Sequence, residues 1–77
     1  MSRAHVAATP ADAVIAAFGG VCATARALGL SPSSVSRWRM PAARGGIDGR
    51  VPSRHQSAIL ALSRRLRLGL TARDLIA

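Results

Sequence analysis

Residues 21–40 read VCATARALGLSPSSVSRWRM, two short helix-compatible runs divided by a glycine and a Ser-Pro pair. Val21 to Leu28 favours helix, and Gly29 follows where a left-handed backbone closes a helix at least cost. Ser31 then offers its hydroxyl as an N-cap and Pro32 a preset φ at the first helical position, so a new helix starts almost at once. It is expected to run through Ser33 to Met40, about two turns, until Pro41 forbids its continuation. Ala25 is small enough to let the two helices cross closely. Val35 and Trp38, three apart, form the inner face that pins the second helix to the body, with Leu28 and Leu30 around the turn.

Working outward on the N-terminal side, Thr9 is a capping hydroxyl, Pro10 suits the first helical position, and Asp12 sits near the positive end of the helix dipole. Val14, Ile15 and Phe18 share one face of this first helix, and Gly19-Gly20 ends it. Residues 1–8 carry no periodic pattern and read as a frayed arm, which leaves 9–77 as the domain.

On the C-terminal side, residues 41–51 hold Gly45, Gly46, Gly49 and an Asp48-Gly49 turn pair, so they read as a loop or at most a short hairpin. Val51-Pro52 opens a fourth helix in which Ile59, Leu62 and Leu66 recur at spacings of three and four, the pattern of a core-facing stripe that Gly69 closes. Thr71 with Asp74 begins a last turn of helix through Leu75-Ile76-Ala77. The expected fold class is all-α, with five helices.

Composition narrows the function. A chain of 77 residues is one domain at most and buries only about 60% of its unfolded surface, so its core is thin. With 49% hydrophobic but only 3% aromatic residues, that core is Ala, Val, Leu and Ile packed between helices. Eleven basic residues against three acidic ones give a net charge of +8, which points to a polyanionic partner. All eleven are arginine. A GC-rich coding sequence and a preference for phosphate and guanine both account for that, and the count alone does not separate them. The single Cys22 rules out an intrachain disulfide, and no Cys/His spacing suits structural zinc. No apolar run approaches the roughly 20 residues of a membrane span, and no secretory signal is legible, so the expected location is cytoplasmic, at the nucleoid.

The pattern Ala25, Gly29, Val35 and Trp38, with Leu28 and Leu30, resembles the helix-turn-helix unit of the Cro and lambda-repressor-like family. The wider run, FGGVCATARALGLSPSSVSRWR followed after a loop by VPSRHQSAILALSRRLRLGLTARDLI, is similar to the small phage-type Cro and YdaS-like bacterial regulators. The similarity spans residues 10–76 and departs from that group in a longer loop at 41–51. It implies a lambda-repressor-like domain that binds double-stranded DNA in a sequence-specific way as a homodimer, with half-sites about one helical turn apart. A repressor is the expected form, since no ligand-binding or activating segment is legible.

If the third helix enters the major groove, its outward residues Ser33, Ser34, Ser36 and Arg37 reach the bases. Arg37 is the foremost of these, because a guanidinium can hold guanine O6 and N7 bidentately. Ser31, Arg39, Arg44, Arg50 and Arg54 are then assigned to phosphates, together with the helix start at Gly20. Leu68, Leu70, Leu75 and Ile76 are the candidates for self-association.

Competing readings weigh on several residues. Trp38 could stack on an unpaired base, but its spacing from Val35 favours a buried packing role. Arg64, Arg65 and Arg67 could form a second basic patch, although a solvated helix face is the commoner outcome. His55, with only His5 for company, is a poor metal ligand or pH switch and better read as a helix-surface residue near the DNA backbone. Cys22 reads as a small hydrophobe near a helix start rather than a redox sensor. Asp12, Asp48 and Asp74 are dispersed over caps and a turn, so no acid/base pair, enzyme, cofactor or small-molecule ligand is expected. Two further functions stay open: a protein-interaction adaptor or antitoxin-like module on the same fold, and a charge-driven architectural or RNA-binding role.

Overall fold

The first helix begins where Thr9 supplies its cap. In the computed structural model, which describes residues 9–76, Thr9 Oγ1 accepts from the Asp12 amide at 3.2 Å and donates to Asp12 Oδ2 at 3.0 Å. The chain is all-α, with α1 Pro10–Phe18, α2 Val21–Leu28, α3 Pro32–Arg37, α4 Ser53–Leu66 and α5 Ala72–Ile76. No strand occurs among the described residues. The arm expected at 1–8, the Ile76 side chain and Ala77 lie outside them. No single described helix is long and apolar enough to cross a membrane.

Three of these helices stop by the same device. A residue of left-handed backbone follows the last turn, and the next amide reaches back to a carbonyl five residues earlier: Gly20 to Ile15 at 2.8 Å, Leu30 to Ala25 at 2.8 Å, and Leu68 to Ser63 at 2.9 Å. The left-handed residue is Gly19 after α1 and Gly29 after α2, but it is Arg67, with φ 58°, after α4. The expectation that Gly69 closes α4 is thus corrected: the helix ends at Leu66, and Gly69 belongs to the connection to α5. Between α1 and α2 the double-glycine stop bends the chain by 85°.

α2 is the hub. It packs against α1, α3 and α4, while α5 closes on α1 and α4. Ala11, Val14, Ile15, Ala25, Val35, Trp38, Val51, Ile59 and Leu75 form the buried core. Two buried hydroxyls are satisfied by backbone: Thr24 Oγ1 donates to the Gly20 carbonyl at 2.7 Å, and Ser63 Oγ accepts from the Leu70 amide at 2.9 Å. Each anchors a helix junction without leaving an unpaired polar atom inside.

Four sequence expectations need correction here. α3 keeps α-helical bonding only to Arg37; Trp38, Arg39 and Met40 follow as a tighter turn, bonding to carbonyls three residues back at 3.0, 3.2 and 3.1 Å. In the α4 stripe only Ile59 is buried, because the helix outlasts the core: Leu62 is half-buried, Leu66 is 52% exposed, and Ser63 is buried instead. Leu75 is a core residue at 2% exposure, so it is not free for self-association; Leu70 also packs on the core, and Leu68 is half-buried. Cys22 is exposed rather than packed as a small hydrophobe.

The loop between α3 and α4 contains no hairpin. Ala42–Arg44 form a 3₁₀ turn whose first amide is capped by Asp48 Oδ1 at 2.8 Å. Gly49 then bonds two elements at once, its N–H donating to the Trp38 carbonyl at 2.6 Å and its carbonyl accepting from the Ala11 amide at 2.8 Å. The loop is therefore tied to the end of α3 and the start of α1.

Candidate nucleic-acid interface

α3 is held from beneath and bare above. Val35 is fully buried and Trp38 is 4% exposed, and the His55 ring of α4 lies over the Trp38 ring at 6.0 Å between centroids, tilted by 33°. This answers the Trp38 question in favour of packing. At the other end of α3, Ser31 Oγ accepts from the Ser34 amide at 3.2 Å and lies 3.0 Å from Ser34 Oγ. Ser31 is thus committed as the N-cap, and the Ser34 hydroxyl is tied to it.

The four outward residues do not form one face but two flanks. Ser34 and Arg37 line a cleft of about 420 Å³ between α3, the loop and α4, over Leu30, Trp38, Ile47 and Pro52. Ser33, Ser36 and Arg37 line a shallower hollow of about 610 Å³ against Val21, with Pro32 and Met40. Arg37, exposed at the end of α3, is common to both. A side chain on that ridge can reach either way, whereas each serine serves one side.

Arg54 and His55 reach the same cleft as Arg37, together with Ser53. Sequence reasoning passed over Ser53; its signal is its place in the first turn of a Pro-initiated helix, where a short hydroxyl beside an arginine suits an anion. Arg44 and Arg50 are exposed on the loop. Arg39 points elsewhere: its guanidinium lies 4.0 Å from Asp12 Oδ1 at the start of α1. Both partners are partly solvated, so the pair is weak and easily exchanged for a phosphate. The Gly20 amide is already donated to Ile15, so at that helix start only the amides after Gly20 face outward without an intrahelical acceptor.

Electrostatically the surface is predominantly basic. The three carboxylates are each engaged: Asp12 at the α1 cap beside Arg39, Asp48, exposed on the loop, at the 3₁₀ turn, and Asp74 accepting from Thr71 N at 2.8 Å. α3 and α4 contain no acidic residue. Among the described residues no three His, Cys, Asp or Glu side chains group so as to hold a metal. Comparison with models of protein families, with curated proteins and with solved structures gives no match for this chain.

Proposed function

We propose that this chain is a sequence-specific double-stranded DNA-binding transcriptional regulator, a repressor that pairs as a homodimer on a palindromic operator. In this reading α2 and α3 are a lambda-repressor-like helix-turn-helix unit, and α3 enters the major groove. The observation that carries it is the position of Arg37, the exposed residue shared by two hollows, on a helix whose other side is locked into the core by Val35 and Trp38. A rigid helix with one guanidinium and short hydroxyls outward is what groove reading requires, because base edges are read by side chains whose own backbone does not move.

Phosphate contacts then fall to Arg54, Ser53 and His55 on one side and to Arg44, Arg50 and the first amides of α2 on others. Arg39 exchanges Asp12 for a phosphate. These contacts fix register without reading sequence. α3 is only six residues, about 9 Å long, so one copy reads few base pairs and a paired operator supplies the rest.

Selection from a random duplex library tests the proposal. Enrichment of a motif with two half-sites about 34 Å apart is expected. Arg37→Ala should keep salt-sensitive binding to random DNA while losing about 1–3 kcal/mol of discrimination. A library that emerges unenriched, with affinity steep in salt, would favour the charge-driven architectural role. A protein that sediments as a monomer on its selected DNA would remove the dimer.

A further inference from the structure

The far end of α4 carries apolar surface that the core does not use. Ala58, Leu62 and Leu66 stand four residues apart in one row. Ala58 and Leu66 are exposed and Leu62 is half-buried, and neither leucine packs against the core cluster. Single exposed leucines are ordinary on a protein surface, but a helical row spanning about 12 Å is a docking stripe in form. Arg65 and Arg67, both exposed, stand beside its Leu66 end, while Arg64, also exposed, lies on the opposite flank of α4.

We infer that this row is a docking surface for an acidic amphipathic helix of a partner protein, which lays its apolar stripe on Ala58, Leu62 and Leu66 and its carboxylates on the neighbouring arginines. Charge selects the occupant. Residues 49–73 contain six arginines and no acidic residue, so a second copy laid along the row would set guanidinium against guanidinium. Residues 1–8, with Arg3 and no carboxylate, are equally mismatched. An acidic helix meets both the stripe and its basic border by packing helix against helix. Arg54 continues the same row one turn before Ala58, about 6 Å along α4, so the near end of the row adjoins the Arg37 cleft while its Leu66 end lies about 18 Å from Arg54. The inference holds whether or not α3 reads DNA.

The test uses a labelled synthetic helix with a Leu/Ala stripe flanked by glutamates, and a twin in which every glutamate is lysine. Each is titrated with the full chain by fluorescence anisotropy at near-physiological salt. Saturable binding of the acidic peptide is expected, weakened about tenfold by Leu66→Ser or by Arg65→Glu and untouched by Arg37→Ala. Ala58→Gln, which adds bulk on the exposed side alone, should weaken it as well, and DNA affinity should be unchanged in Leu66→Ser. Equal binding of the lysine twin, indifference to both Leu66→Ser and Ala58→Gln, or an equal loss in Arg37→Ala would overturn the inference. So would a dimer that Leu66→Ser dissolves in sedimentation, or binding seen only with phosphatidylglycerol vesicles.

Discussion

The amide of Gly49 donates to the carbonyl of Trp38 at 2.6 Å, and through that bond the loop carries the position of α3 to the start of α1. Gly49 is buried with φ 83°, and a Cβ there would come within 2.6 Å of Thr9 Cβ and Cγ2. Gly49→Ala must therefore strain the backbone and push away the α1 cap. A loss of about 2 kcal/mol or more is expected, read as a lower urea midpoint at unchanged slope. An unchanged midpoint would mean that the loop closure contributes nothing.

Ser31 and Ser33 are neighbours on either side of Pro32 with different work to do. Ser31→Ala removes the α3 cap and should cost about 1 kcal/mol in thermal unfolding, whereas Ser33→Ala, fully on the surface, should stay within about 0.5 kcal/mol. On the selected operator the order should invert at the bases: Ser33→Ala changes sequence preference, and Ser31→Ala lowers affinity evenly across sequences.

Arg54 lies in the cleft with Arg37 but on α4. Arg54→Ala is expected to weaken binding to operator and random DNA alike and to reduce the slope of log affinity against log salt by about one. A loss confined to one operator position would make Arg54 a base-reading residue instead.

Arg67 occupies, with φ 58°, the position that Gly19 and Gly29 hold at the other two helix stops. A non-glycine residue there costs on the order of 1 kcal/mol, and the Arg67 amide bond to Arg64 survives substitution because it is backbone. Arg67→Gly should stabilise the chain by up to about 1 kcal/mol, raising the melting midpoint by about 4–8 °C at the upper limit. A lower midpoint would show that its side chain holds α4 in a way the backbone does not reveal.

What the sequence made legible was local. Thr9-Pro10, Ser31-Pro32, Gly19-Gly20 and Gly29 each carry their backbone role in their own chemistry, and Ala25, Val35 and Trp38 are buried as their spacing requires. Errors came wherever a distant element decides. The early end of α3 at Arg37 depends on Met40 and Trp38 meeting the returning loop, with the Asp48 amide on the Met40 carbonyl at 2.9 Å. The exposure of Leu66 depends on where the other helices stop, which a periodic stripe cannot express. At the candidate site, Arg37 was visible as an outward residue, but the two flanks it joins exist only because the loop and α4 rise on one side and α2 on the other.

The burial of Trp38 under the α3 ridge also gives the protein its own optical probe. With one tryptophan and no tyrosine, its near-ultraviolet emission is that of a single fluorophore at the underside of α3, against the His55 ring. Unfolding and any lifting of α3 from the body both register in that one signal without a label.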